Sequence, residues 1–203
     1  MDAVFLHETE AVVILFDLCG FTRLGARLSP LDLGLALSRY YQHCESCIEK
    51  HGGRLVKFAG DAVLGAWLAN ETSRPGVRAL AAIAAARHER SAFLARCRAD
   101  GLPELDYAVA AASGPVLAGH IGTARHKTFD VLGETVNAAF KLAAAAQARG
   151  VDHLIALATA IAPGPGPGPG PGPGPDGGAE LVEVEGIELG GKLYRLYRLA
   201  DPS

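Results

Sequence analysis

Apolar and polar positions follow two different periods along this 203-residue chain. The run AVVILFDL (11–18) is continuously apolar and ends in an acid, which is typical of a buried strand. The segment RLVKFAGDAVLGAWL (54–68) divides at Gly60-Asp61 into two short β-like runs, which predicts a hairpin with its turn there. Three further segments predict strands: a pair in LDYAVAAASGPVLAGHIG (105–122), divided around Ser113-Gly114-Pro115; one in FDVL (129–132); and a hairpin in LVEVEGIELGGKLYRLYRL (181–199), turning at Gly190-Gly191.

The segments between these strands carry helical spacing. LDLGLALSRYYQHCESCIEKHGG (31–53) predicts a helix that stops at Gly52-Gly53. SRPGVRALAAIAAARHERSAFLARCRAD (73–100) predicts a long amphipathic helix with Pro75 near its start, and GETVNAAFKLAAAA (133–146) predicts a third. The order of elements predicts an α+β sandwich, with the helices on one face of a mostly antiparallel sheet.

A strict Gly-Pro alternation runs from residue 163 to residue 175. Proline cannot donate to a helix or a strand ladder, so this tract is expected to be an exposed, extended tether without a catalytic role. We interpret residues 1–203 as a single domain that carries the tract as a low-complexity loop.

Composition narrows the classes of function. Hydrophobic residues make up 49% of the chain, enough for one real core. The formal net charge of -3 provides no basic field for nucleic acid, so a bound anion must be held by a few placed groups. No run approaches the ~20 apolar residues of a membrane helix, and MDAVFLHETE (1–10) lacks the regions of a signal peptide. We therefore expect a soluble, cytoplasmic protein, or the soluble catalytic part of something longer.

Four cysteines are present, and two of them form a C-x-x-C. Cys44 and Cys47 fall within a predicted helix, and no second pair completes a zinc site. We interpret all four, Cys19 and Cys97 included, as structural thiols.

Two acids stand at the ends of predicted strands. Asp17 ends the first strand and Asp61 lies at the tip of the hairpin. If the hairpin and the first strand are neighbours, the two carboxylates and the Leu18 carbonyl form an oxygen site suited to Mg²⁺ or Mn²⁺. The sequence is equally compatible with two independent turn aspartates.

A loop with a glycine enters a helix directly after Asp17. Its residues are Leu18, Cys19, Gly20, Phe21 and Thr22. Successive main-chain N–H groups at such a helix start favour phosphate oxygens. Beside a candidate metal ligand, the loop suggests a site for a metal-bound triphosphate.

Four segments together resemble the catalytic domain of the class III nucleotide cyclases. They are FDLCGFT, VKFAGDAVLGAW, GPVLAGHIGTARHKTFDVLGETVNAAFKL and VEVEGIELGGKLYRLYRL, in the family's order and spacing. The resemblance covers about Ala11 to about Leu199, interrupted by the Gly-Pro tract. It implies a ferredoxin-like (palm-like) sandwich and the conversion of ATP to 3′,5′-cyclic AMP and pyrophosphate.

The resemblance also implies a division of roles among named residues. Asp17 and Asp61, with the Leu18 carbonyl, would hold two Mg²⁺ or Mn²⁺ ions. Lys57 and Asp130 would read an adenine base, where a guanine reader would typically carry glutamate and a smaller residue. Asn137 would position the ribose. Family sites form between two subunits, which implies a head-to-tail homodimer with two shared sites.

The chain departs from the family pattern at two positions. Lys141 stands where the family has a transition-state arginine, and lysine keeps the charge but loses the planar fork. Glu185 replaces a lysine that contacts the terminal phosphates, and Lys192 or Arg54 could substitute for it. A weakly active or inactive nucleotide-binding regulatory domain is therefore the second function that the sequence supports.

Three of the candidate residues also have simple structural interpretations. Lys57 can be an exposed strand lysine, Asp130 a turn former and Lys141 a lysine extended along an apolar helix. A third candidate function is a pure dimerisation module. The two acids argue against it, because such a module has no need for converging carboxylates. Polymerase palm and diguanylate cyclase domains share the architecture, but Ala59 stands where their hairpin signature has a glycine.

Overall fold

The computed structural model describes residues 5–123, 125–156, 181–189 and 192–200. The predicted Gly-Pro tether (163–175) and the turn at Gly190-Gly191 lie outside these residues, and the single domain over 1–203 stays a prediction. The described part contains eight strands: β1 Leu6–Leu18, β2 Arg54–Ala59, β3 Ala62–Leu68, β4 Tyr107–Gly122, β5 Lys127–Leu132, β6 His153–Ala156, β7 Leu181–Leu189 and β8 Lys192–Leu199. Its helices are α1 Phe21–Gly25, α2 Pro30–Glu49, α3 Pro75–Ala99 and α4 Glu134–Arg149.

The strands form one sheet in the order β2-β3-β1-β4-β6-β8-β7, with β5 paired to β4. β4 and β6 are parallel, and the other pairs of described strands are antiparallel. The predicted mostly antiparallel α+β sandwich is confirmed. No helix among the described residues is long and apolar enough to cross a membrane.

Helices cover both faces of the sheet, so the expectation of helices on one face only is wrong. On β1, Val12, Ile14 and Phe16 belong to the core formed with α2 and α3. The alternating residues Val13 and Leu15 belong to a second core formed with α4. β1 is central and packed on both sides, which explains why its sequence is continuously apolar. Asp17 shares the parity of Val13 and Leu15 and therefore lies at the α4 side of the sheet.

β4 is one strand, where the sequence predicted two. Its ladder with β1 continues through the expected break, with Ala11 opposite Gly114. Gly114 has φ +154°, and a Cβ there would lie 2.9 Å from the Thr135 hydroxyl oxygen. Glycine therefore lets the strand continue past α4 instead of ending it. The same ladder extends β1 back to Leu6, five residues before the predicted start at residue 11.

The helix α2 begins one residue before the predicted segment and ends at Glu49, before the predicted stop at Gly52-Gly53. The Ser29 hydroxyl accepts a hydrogen bond from the Asp32 N–H at 3.1 Å, and Pro30 begins the helix. At the other end a Cβ on Gly53 would lie 2.5 Å from the Trp67 ring. After α2 ends at Glu49, the chain therefore passes close to a buried indole at Gly53, where only glycine fits.

Asp152 ties α3, β6 and β8 together. Its carboxylate accepts hydrogen bonds from His153 Nδ1 at 2.6 Å and from Arg87 Nε at 3.1 Å. The fully buried His153 ring accepts in turn from the Leu199 N–H at 2.8 Å. The hydrogen bond from His153, aided by Arg87, holds the pKa of Asp152 well below its ordinary value of 3.8, against the effect of burial.

Replacing Asp152 with asparagine is expected to lower the free energy of unfolding by about 2 kcal/mol near neutral pH, since charge-assisted hydrogen bonds are lost. Because the folded-state pKa is depressed, this difference is present above pH 3.8 and shrinks as the pH falls below it. Chemical denaturation at several pH values measures it. Asp100→Asn, which disrupts the exposed Arg39–Asp100 ion pair, is the control and is expected to cost far less. Equal losses for both variants would contradict this role of Asp152.

Candidate active site

Asp17 and Asp61 meet at one edge of the sheet. Asp17 stands opposite Ala62 in the β1–β3 ladder, directly beside the turn that carries Asp61. The Leu18 N–H donates to the Asp61 carbonyl at 3.1 Å, which holds the turn against the end of β1. Burial, and then the charge of Asp61, raise the pKa of Asp17 to about 6. Two crowded carboxylates beside a main-chain carbonyl are a donor set that fits Mg²⁺ or Mn²⁺.

Gln147 is a neighbour of this pair that the sequence did not indicate. Its Nε2 donates to Asp17 Oδ2 at 2.5 Å. Gln147 lies in the last turn of α4 and is 130 residues from Asp17, so no local spacing joins them. The contact orients one carboxylate oxygen of Asp17 and connects α4 to the acid pair.

The loop after β1 turns sharply into α1, a helix of five residues. Gly20 has φ +72°, a left-handed conformation that favours glycine. The Cys19 N–H is already engaged, because it donates to the Asp106 carbonyl at 2.7 Å. The N–H groups of Phe21 and Thr22 are at the helix start, where amides have no acceptor within the helix. Phe21 and Thr22, with Gly20, remain the loop's candidates for binding phosphate.

Lys57 and Asp130 meet across β2 and β5. Lys57 Nζ donates to both carboxylate oxygens of Asp130 at 2.8 Å. The Val131 N–H also donates to Asp130 Oδ1 at 2.8 Å, which fixes the carboxylate on its strand. The side chains of Lys57 and Asp130 are 37% and 21% exposed, so a donor and an acceptor face solvent side by side.

Asn137 and Lys141 share a face of α4 with Glu134. Asn137 Nδ2 donates to Glu134 Oε2 at 3.3 Å, and Lys141 Nζ lies 3.6 Å from Glu134 Oε1. One carboxylate therefore contacts both candidate catalytic side chains. The spacing of three and seven residues on a helix could have indicated Glu134, which was not among the predicted site residues.

The predicted site residues form separate groups in the structure and do not all meet at one point. Asn137 precedes Gln147 by ten residues, which is about 15 Å along a helix that rises about 1.5 Å per residue. Since Gln147 contacts Asp17, the acid pair and Asn137 lie at opposite ends of α4. One chain therefore does not bring the side chains of Asp17 and Asn137 to the same place.

The sequence raised Arg54, Glu185 and Lys192 in connection with the terminal phosphates. Of these three, the structure describes the side chain of Arg54, whereas those of Glu185 and Lys192 lie outside the described part of the chain. Arg54 donates from Nη2 to Glu71 Oε1 at 3.1 Å, and its guanidinium lies 4.3 Å from the centre of the Phe129 ring. Arg54 is therefore engaged near the Lys57–Asp130 pair, where Phe129 precedes Asp130.

Comparisons with known proteins agree on one family. The sequence profile described as "Adenylate and Guanylate cyclase catalytic domain" matches residues 4–158. An adenylate cyclase of Mycobacterium bovis is 32% identical over 136 residues, which are 66% of this chain and 29% of that protein. The chain spans less than a third of the length of the curated relatives it matches.

Solved cyclase structures share the fold at low sequence identity. The guanylyl cyclase Cya2 superimposes with a TM-score of 0.77 at 18% identity, over 96% of this chain and 93% of that chain. The adenylyl cyclase CyaB of Pseudomonas aeruginosa gives a TM-score of 0.76 at 19% identity, over 98% and 97% of the two chains. Together with the profile match, these likenesses show that the chain belongs to the class III nucleotide cyclases, the family of adenylate and guanylate cyclase catalytic domains.

Proposed function

We propose that this domain is an adenylate cyclase, which converts ATP to 3′,5′-cyclic AMP and pyrophosphate. The observation that carries the proposal is the Lys57–Asp130 pair, with its donor and acceptor 2.8 Å apart. Adenine presents an acceptor at ring N1 beside a donor at its exocyclic amine, and Lys57 and Asp130 complement these two groups. Guanine presents an acceptor and a donor in the reverse order, which this pair would match poorly.

Asp17 and Asp61, with the Leu18 carbonyl, would hold two Mg²⁺ or Mn²⁺ ions. Such ions lower the pKa of the attacking ribose 3′-hydroxyl and neutralise charge on the departing pyrophosphate. The chain's own residues mainly position the reactants and stabilise charge. Asn137 would orient the ribose for in-line attack on the α-phosphorus. Lys141 would stand close to the negative charge that develops there.

We propose further that the working enzyme is a head-to-tail homodimer with shared sites. A residue that contacts the ribose must lie within a few ångströms of the metal that binds its 3′-hydroxyl. Within one chain, however, the contact between Asp17 and α4 lies about 15 Å along the helix from Asn137. The separation supports a site in which one subunit supplies Asp17 and Asp61 and its partner supplies Lys57, Asp130 and Asn137.

The test is cyclic nucleotide formation by the purified chain from ATP and, separately, from GTP. Each reaction is run with Mn²⁺ and with Mg²⁺, beside an Asp61→Asn variant that lacks one of the proposed metal ligands. Cyclic AMP from ATP that is lost in the variant is the expected result. Preferential use of GTP would overturn the base assignment, and product that persists in Asp61→Asn would overturn the metal assignment.

A second candidate is a regulatory domain that binds nucleotide and turns it over slowly or not at all. The observation in its favour is the Lys141–Glu134 contact at 3.6 Å, because a lysine paired with a carboxylate is a weaker phosphate ligand than a free arginine fork. ATP binding without product, with either ion, would favour this candidate.

Replacing Lys141 with arginine is expected to raise kcat for cyclic AMP formation about tenfold, since a planar fork can contact two phosphate oxygens at once. Steady-state kinetics with Mn²⁺-ATP measure the change. Lys50→Arg, at an exposed residue after α2, is the matched control and should leave kcat unchanged. A fall in kcat for Lys141→Arg would show that lysine is adapted to this site.

A further inference from the structure

We propose that His43, Cys47 and Glu89 form a binding site for a thiophilic divalent cation of the Zn²⁺ class, between α2 and α3. One donor atom from each residue lies within 4.8 Å of the others, and Cys47 Sγ is 4.0 Å from His43 Nε2. Donor atoms around a tetrahedral Zn²⁺ are about 3.5 Å apart, given Zn–S and Zn–N bonds of about 2.3 and 2.0 Å. A small side-chain adjustment would therefore bring three protein donors to bonding distance, with a water molecule as the fourth ligand.

The two helices bring these donors to one point. His43 and Cys47 are four residues apart on α2, so they share a face of that helix, and both are buried. Glu89 comes from the neighbouring α3 and is half-buried at the rim of the cluster. The cluster therefore combines two donors inside the core with one that solvent reaches, which gives an ion a path to enter.

Packing fixes the orientation of the His43 ring. His43 stacks on Phe93 with ring centres 4.3 Å apart, and its Nε2 lies 2.7 Å from the Tyr107 hydroxyl. That hydroxyl donates to the Ala86 carbonyl at 3.0 Å, so in the metal-free protein Nε2 is the donor to Tyr107. On binding, the imidazole proton would move to Nδ1 and the Cys47 thiol would lose its proton. Each bound ion therefore releases one proton.

The surroundings of Glu89 indicate that the bound species is a cation. Among the described residues it has no hydrogen-bond or ion-pair partner, although its carboxylate faces two buried neutral donors. A half-buried carboxylate is stabilised by a positive charge. The imidazole and thiol beside it are softer donors than those that Mg²⁺ prefers. The ligand set therefore differs in chemistry from the oxygen donors of Asp17 and Asp61.

This site stands apart from the proposed nucleotide chemistry. The cluster lies in the core on the α2–α3 side of the sheet, whereas Asp17 lies on the α4 side. Occupancy would link α2 to α3 and stabilise the fold without supplying a group to the reaction. The two cysteines of the C-x-x-C motif then have different roles, since Cys47 is a ligand and the fully buried Cys44 is not.

The test uses Co²⁺ as a spectroscopic replacement for Zn²⁺ on the full chain. Excess Mg²⁺ is present to compete for hard oxygen sites. One equivalent of Co²⁺ is expected to produce a thiolate-to-cobalt charge-transfer band and the visible absorption of four-coordinate cobalt, and Zn²⁺ should abolish both. Absence of the charge-transfer band in the wild-type protein would overturn the proposal.

Variants assign the ligands. Cys47→Ala should remove the charge-transfer band, whereas Cys97→Ala, which deletes another buried thiol of the same helix pair, should retain it. Glu89→Gln keeps shape and fold, and it should weaken Zn²⁺ binding by at least about 100-fold in chelator competition. A band that persists in Cys47→Ala, or unchanged affinity in Glu89→Gln, would overturn the site.

Discussion

Replacing Asp17 with alanine is expected to lower cyclic AMP formation by at least about 1,000-fold with either Mn²⁺ or Mg²⁺. Asp17 supplies half of the converging acid pair, and the hydrogen bond from Gln147 fixes the orientation of its carboxylate. Removing the carboxylate leaves Asp61 to hold the proposed ions with one charge less. The measurement is initial rate at saturating ATP, beside ATP binding by a fluorescent analogue.

The control for Asp17→Ala is Asp100→Ala, which removes an exposed carboxylate paired with Arg39. It should retain wild-type rates. The Asp17 variant is also expected to fold, because the half-buried carboxylate is repelled by Asp61 and its burial stabilises the protonated form. Full activity of Asp17→Ala would show that the acid pair does not serve the reaction, and would overturn the assignment of Asp17 as a metal ligand.

The sequence predicted those parts of the fold that depend on neighbours along the chain. The hairpin turning at Gly60-Asp61 is a local signal and is confirmed. The helix α2 is also where its local spacing predicts it, although it ends at Glu49, before the predicted stop at Gly52-Gly53. Which face of the sheet a given helix covers depends on the connection between layers, and composition and periodicity do not specify it. The continuously apolar run at 11–18 did indicate that both faces of β1 are covered, because a strand that is apolar on both faces must be buried on both.

The site residues also divide into those that neighbouring elements bring together and those that only the packing of distant elements brings together. Asp17 and Asp61 could be placed together from the sequence because β1 and the hairpin are consecutive strands, which are usually neighbours. Gln147 could not, since its contact with Asp17 joins positions 130 residues apart. The proximity of Glu89 to His43 and Cys47 could not be predicted either, because it depends on how α2 packs against α3.

The second large effect is expected on the choice of the nucleotide base. Replacing Lys57 with glutamate is expected to lower kcat/KM for ATP about 100-fold, chiefly through KM. The change removes the donor to ring N1 and sets a second carboxylate beside Asp130, whose oxygens now lie 2.8 Å from the lysine nitrogen. Two acids in contact would reorganise or take up a proton, so the acceptor for the exocyclic amine is disturbed as well.

The measurement for Lys57→Glu is kcat and KM for ATP and GTP in parallel, with Lys50→Glu as the matched charge reversal at an exposed position. Lys57 is 37% exposed and its ion pair contributes little to folding, so loss of ATP use in a folded variant reports on the base site. Because glutamate accepts where lysine donates, the variant should lose less activity toward GTP than toward ATP. Unchanged kcat/KM for ATP would mean that Lys57 and Asp130 pair only with each other, and that adenine is read elsewhere.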